Sequence, residues 1–226
     1  MEHTQGLVQI IALTLGVSWA SGINLYAAML TLGLLGATGH AQLPPGLEIL
    51  THPLVLTASG FMYALEFFTD KIPGVDTAWD VMHSFIRIPA AAVLAAAASM
   101  EIGPAAQVAA AIIGGGLATG SHLTKASSRM LINTSPEPVT NSAASLTEDA
   151  LVVAGLWTAL YHPWASFILL LILAVAIIWL LPKLLRGLRA IWRRIRFWKK
   201  KEPSRTPDPI ALPHPQNELE CRRKEK

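Results

Sequence analysis

Apolar residues run through the first 182 positions in long blocks, interrupted by short polar clusters. The first block covers residues 6–36. As one straight helix those 31 residues would extend about 46 Å, against a hydrocarbon core of about 30 Å. The pattern therefore predicts a break at Ser21-Gly22-Ile23-Asn24, where small and polar residues gather. The alternative is one long tilted helix with Gly22 as a packing contact. Residues 37–53 hold Gly39, Pro44, Pro45, Gly46 and Pro53 and read as a loop. Residues 54–68 are apolar but short, fitting a strained span or one arm of a re-entrant hairpin. Residues 88–100 are Ala-rich, and Glu101-Ile-Gly-Pro104 marks a turn. Residues 105–120 include Gly114-Gly115-Gly116, a place for close backbone approach or for a break. Ser145-Leu-Thr-Glu148 has the form of a capping box, predicting a helix start near Asn141 to Ser145. Tyr161-His162-Pro163-Trp164 reads as an interfacial turn, and residues 164–182 as a charge-free span ending at Pro182.

These elements predict an all-α, polytopic transmembrane protein with about five to six membrane segments, some of them short, broken or re-entrant. The transmembrane domain takes in residues 1–182. Residues 183–201 alternate Lys/Arg with Leu, Ile and Trp, a basic amphipathic helix. Residues 202–226, with five prolines, read as a disordered tail. Ala20-Ser-Gly-Ile-Asn24-Leu-Tyr-Ala-Ala28 aligns with Ala118-Thr-Gly-Ser-His122-Leu-Thr-Lys-Ala126. The match raises an internal repeat of halves 6–100 and 105–182, of the inverted kind found in transporters; chance similarity among small residues is the plainer account.

Composition agrees with a membrane protein. Hydrophobic residues are 52% and charged residues only 15%, with a mean hydropathy of +0.44, where a soluble domain carries about 25% charged residues. The net charge of +3 hides a split. Residues 1–182 carry four Lys/Arg against ten Asp/Glu, and residues 183–226 carry fourteen against five. The basic excess follows the last apolar block, which predicts a cytoplasmic C-terminus and contact between residues 183–201 and anionic lipid headgroups. No folded nucleic-acid module accompanies the charge, so nucleic acid is not expected as a partner. Cys221 is the single cysteine, which excludes an intramolecular disulfide. The N-terminus lacks the basic start of a signal peptide, so the first apolar block is expected to remain in the mature protein.

Two polar clusters carry the candidate chemistry. In the first, Glu66, Asp70 and Lys71 close an apolar segment, Pro73-Gly74 make a turn, and Asp76, Asp80, His83 and Arg87 form one stripe of a helix. In the second, His122, Lys125 and Arg129 form a basic stripe, followed by Asn133, Glu137, Asn141 and Glu148. Buried charges at membrane depth need partners or water. Glu66 and Asp70 suit proton or cation handling, Lys125 and Arg129 an anion clamp, and Asn24 and His122 the helix breaks. The competing reading pairs the opposite charges as structural ion pairs. Asp76, Asp80 and His83 also share a face with metal-ligand chemistry, but a solvated or paired face is commoner, and no metal or other cofactor is expected. No nucleophile–base spacing points to an enzyme.

Glu66-Phe-Phe-Thr-Asp-Lys-Ile-Pro-Gly-Val-Asp-Thr-Ala-Trp-Asp80, together with Asn133-Thr-Ser-Pro-Glu-Pro138 and Asn141, resembles the two hallmark segments of a bacterial membrane family, domain of unknown function 4126. The resemblance covers residues 10–185, with small departures at Thr69 and Val139. It implies a multi-pass protein of the bacterial inner membrane and brings no activity with it. The function expected from the residues is a small transporter or flippase-like protein for a polar or anionic solute or a lipid headgroup. The alternative is a non-transporting scaffold or lipid-binding protein. The small number of segments makes a homodimer a reasonable expectation.

Overall fold

A computed structural model describes residues 2–72, 74–134 and 138–199. The described residues form six α-helices and two short 3₁₀ turns, with no strand. The helices are α1 (Glu2–Ala37), α2 (Pro53–Thr69), α3 (Val75–Ala98), α4 (Pro104–Ile132), α5 (Pro138–Tyr161) and α6 (Pro163–Lys199); the turns are Pro45–Thr51 and Met100–Ile102. Four helices (α1, α3, α5 and α6) are long and apolar enough to cross a membrane, and α2 is a shorter apolar helix. The chain is an integral membrane protein of the polytopic helical class. Met1–Leu188 form one compact unit and Arg189–Lys226 a second. The segment 202–226, expected to be disordered, lies outside the described residues.

The expected break in α1 is present. Asn24 leaves the helical region at φ −146°, ψ 100°. Its Oδ1 accepts the Ala27 backbone N–H at 2.9 Å, so its side chain caps the second half of the helix. The chain also reverses there. Gly6, Gln9 and Leu13 from the start of α1 border the same cavity of about 660 Å³ as Gly36 from its end, whereas a straight helix would hold Gly6 and Gly36 about 45 Å apart. Gln9 Nε2 donates to the Leu160 carbonyl, and Tyr161 Oη donates to the carbonyl of His40, three residues beyond α1. Thus α1 is a helical hairpin with its tip at Asn24 and both ends beside the end of α5.

The other helices alternate around this hairpin. The loops before α2, between α3 and α4, and between α5 and α6 lie at the cavity end. Residues 70–72 after α2, and Asn133 and Thr134 after α4, lie at the opposite end. Small residues let the hairpin sit deep among its neighbours. A Cβ on Gly22 would collide with the Ala118 carbonyl and with Ser121 Oγ, and Ser121 Oγ donates to the Trp19 carbonyl at 3.0 Å. Gly22 is therefore a packing contact as well as a neighbour of the break. A Cβ on Gly114 would lie 2.5 Å from Ala95 Cβ and 2.6 Å from Ser18 Oγ, so the glycine run draws α4 onto α3 and α1 without breaking it. The two similar nonapeptides pack against one another across α1 and α4, but only the first is broken. Leu13, Val17, Leu32, Val152 and Leu156 form the dry core around the hairpin.

Three expectations need correction. The loop 37–53 contains the 3₁₀ turn Pro45–Thr51, held by the burial of Leu47 and Leu50. The helix expected to start near Asn141 to Ser145 begins at Pro138, and Ser145 lies buried two turns inside it; a proline fits a first helical turn, where its missing N–H has no partner to lose. Pro182 does not end α6, which continues to Lys199. The proline removes one backbone bond, while Leu, Lys and Arg on either side favour helix.

Candidate functional site

The two charged stripes face each other. Asp76, Asp80, His83 and Arg87 are all buried on one side of α3, and His122, Lys125 and Arg129 are all buried on one side of α4. The periodicity of 3.6 residues puts each set on one face. Burial of so much charge is tolerated because the faces are complementary, with α2 and α5 adding further carboxylates.

Lys125 sits at the centre. Its Nζ lies 3.1 Å from Glu66 Oε1, 3.2 Å from Asp70 Oδ2, 3.5 Å from Glu148 Oε2 and 3.7 Å from Asp80 Oδ1. Arg87 bridges α3 to α2, with Nη2 at 2.7 Å from Glu66 and Nη1 at 3.0 Å from Asp80. Arg129 bridges α4 to α5 through two bonds to Glu148, at 3.1 and 2.8 Å, and to Asp70 at 3.3 Å. It also donates to the Asp70 and Asn141 carbonyls. Four acids and three bases thus join α2, α3, α4 and α5 in one ion-pair network. Except for Glu148, its side chains are at most 3% exposed.

Polar groups extend the network on two sides. Asp76 accepts two bonds from Asn133 Nδ2, at 2.8 and 3.0 Å, and Asn141 Nδ2 donates to Asn133 Oδ1. This ties the start of α3 to the connection between α4 and α5. Towards the hairpin tip, Asn24 Nδ2 donates to Asp149 Oδ1 at 3.0 Å, and Tyr63 Oη donates to Asp149 Oδ2 at 3.0 Å. His122 lies between the tip and the network. Its Nδ1 lies 3.3 Å from Arg87 Nη1, which can only donate, and its Nε2 lies 2.6 Å from Ser84 Oγ; the tautomer that suits both carries its proton on Nε2 and donates to Ser84. The Ser84 hydroxyl in turn donates to the Asp80 carbonyl. In this tautomer His122 cannot take a proton from Ser84.

Most of the sequence-derived candidates meet here. Two do not join the ion pairs. His83 stacks on Trp79, with ring centroids 4.0 Å apart, and its Nδ1 faces the Trp79 carbonyl. Lys71 turns away, lying over the Phe67 ring and donating to the Phe67 carbonyl. Glu137 lies outside the described residues. The metal face imagined from Asp76, Asp80 and His83 is not assembled, because each is engaged separately. The carboxylates that do converge are Glu66, Asp70 and Asp80, each offering an oxygen within 4.8 Å of the others. The Lys125 ammonium lies among them. Asp149, Tyr63 and Ser84 were missed. Asp149 had one available signal, an acid directly beside Glu148 in an apolar helix.

Two further features set the surroundings. The cavity at the opposite end is bordered by Glu48 and Glu101 together with Gln9, Gln42 and Thr51. On the outer faces, α3 exposes Phe85 and Val93, and α6 exposes Leu171, Ile178 and Trp179, apolar surface that suits lipid contact.

Residues 11–183 match the family described as Domain of unknown function (DUF4126). Neither the curated proteins nor the solved structures contain a match to the chain.

Proposed function

The chain belongs to the Domain of unknown function (DUF4126) family, a membership that brings no activity with it, and we propose that it is a small ion-coupled transporter of a polar solute or lipid headgroup. The observation that carries this reading is the tip of the α1 hairpin. Asn24 caps one half-helix and binds Asp149 within reach of the buried network. A re-entrant hairpin ending at membrane depth beside charged groups is a recurring way to build a solute or ion site, because half-helix ends bring free backbone groups and dipoles to the spot.

Charge supports an orientation. The loops at the cavity end contain Glu48 and Glu101 and no Lys or Arg, while the basic run makes up the C-terminal part of α6 and begins with Lys183 and Arg186, near Gly187, which lies against Leu131 late in α4. The positive-inside tendency then puts the cavity outside and the C-terminus in the cytoplasm, with the basic run on anionic headgroups. The plasma membrane of a bacterium is the setting this fits.

Glu66, Asp70 and Asp80 serve as the coupling groups in this reading, with Lys125 as the cation they hold between turnovers. An anion clamp by Lys125 and Arg129 is less well supported than the sequence suggested, because carboxylates already occupy both side chains. A second reading is a membrane scaffold, favoured by the mutual pairing of the buried Lys125, Arg87 and Arg129 with carboxylates of α2, α3 and α5.

Thiol accessibility separates the two. In a Cys221→Ser background, single cysteines at Thr69, Ala126 and lipid-facing Leu171 are treated with a membrane-impermeant reagent from each side. A transporter gives labelling at Thr69 and Ala126 that changes side with pH or added solute, and none at Leu171. A scaffold gives no change at any position.

A further inference from the structure

We infer that the buried network holds one exchangeable proton, shared by Glu66, Asp70 and Asp80. The inference deepens the coupling role proposed above by naming the ion, and rests on that reading for its use in transport.

Charge balance is the first argument. The ion-paired groups are Glu66, Asp70, Asp80 and Glu148 against Arg87, Lys125 and Arg129, one positive charge short of neutrality. An uncompensated charge at this depth is strongly disfavoured. His122 does not supply the missing charge, because its Nδ1 accepts from Arg87 and a doubly protonated ring has no acceptor.

The orphaned atoms are the second argument. Glu66 Oε2, Asp70 Oδ1 and Asp80 Oδ2 are buried without a hydrogen-bond partner. Each belongs to a side chain at most 3% exposed, and these are the same three residues whose carboxylates converge within 4.8 Å. A buried carboxylate oxygen without a donor calls for a partner, which a proton, a water or an ion can supply. One proton on one of them restores neutrality and provides one donor. A divalent metal would instead overshoot to a net positive site, and an alkali cation needs more oxygen ligands than the three left free.

The groups facing this carboxylate trio come from every side: Arg87 from α3, His122, Lys125 and Arg129 from α4, Glu148 and Asp149 from α5, Tyr63 from α2 and Tyr26 from α1. The chemistry is a reversible transfer from hydronium to a carboxylate oxygen, giving a neutral carboxylic acid and water; release reverses it.

Infrared spectroscopy of the full chain in lipid nanodiscs reads that acid directly, through the carbonyl stretch of a protonated carboxyl and its shift in heavy water. The expected result is one such band in the wild type at neutral pH, bleached as the pH rises. The band is lost in at least one of Glu66→Gln, Asp70→Asn and Asp80→Asn, and kept in Glu48→Gln at the far end. Absence of the band in the wild type between about pH 5 and pH 9 overturns the inference, and so does its persistence in all three variants. Loss of the band on adding sodium but not choline assigns the site to an alkali cation and also overturns it. If a variant fails to fold, the wild-type titration with and without sodium still decides. A static scaffold can hold this proton, and a transporter can lack it, so the infrared result and thiol accessibility fail independently.

Discussion

Asn24 and Asp149 stand 125 residues apart in the chain and 3.0 Å apart in space. The same Asn24 side chain caps the second half of α1 through Ala27. One amide thus ends a helix, starts another and fastens the tip of the hairpin to the middle of α5.

Asn24→Ala removes the cap and leaves Asp149 with Tyr63 alone. The expected loss is about 1–3 kcal/mol, combining a lost cap with a buried acceptor left short of a donor. Thermal unfolding of the detergent-purified protein, followed by size-exclusion chromatography, checks it. Asn24→Asp keeps the cap but sets a carboxylate against Asp149, so it should destabilise at neutral pH and recover towards acid pH.

Lys125→Met leaves four carboxylates of the network, Glu66, Asp70, Asp80 and Glu148, without their shared ammonium. Breaking a buried pair costs about 3–5 kcal/mol, enough to abolish folded yield in a marginal protein. Adding Glu66→Gln removes one of the stranded charges and should restore part of that yield. No rescue by the double variant would mean that Lys125 acts by something other than charge pairing with Glu66.

Gly22→Val sets a Cβ and two methyl groups against Ser121 Oγ and against the Ala118 carbonyl, which is backbone and cannot move without shifting α4. Overpacking here should cost about 1–3 kcal/mol or more. Gly116→Ala is the control, because nothing lies within 4 Å of its added Cβ. It should be neutral or slightly stabilising, in line with the helix preference of alanine.

Cysteines at Gln42 and Ile102 should label from one side of the membrane and a cysteine at Thr134 from the other. The positive-inside argument puts Gln42 and Ile102 outside. Labelling of Gln42 and Thr134 from the same side would break the proposed arrangement of helices.

The sequence was most readable where one helix face decided the outcome. The stripe of Asp76, Asp80, His83 and Arg87 is buried together because its spacing follows the helix period. Which acid meets which base was not readable, since Lys125 finds its partners 55 and 59 residues away on another helix. His83 shares the stripe yet stacks on Trp79, because an imidazole can satisfy itself against a local ring and carbonyl. The start of α5 was misplaced because two start signals compete there, and Pro138 precedes the Ser145 box. That error also hides Asp149, because a helix starting near Ser145 would put it in the first turn, where an acid suits the helix dipole. The break near Asn24 was legible from residue types, but the reversal was not, since it depends on the backbone angles of one residue.

The hairpin also bears on the order in which the protein can be assembled. Its closest partners, α4 and α5, leave the ribosome a hundred residues or so after it. The hairpin must therefore wait for helices made after it before it can find its place. Until then Ser18, Ser21 and Asn24, all buried in the finished fold, have no native neighbours to shield them. Biogenesis has to keep an early, polar-tipped segment waiting at the membrane until the later helices have formed the slot that receives it.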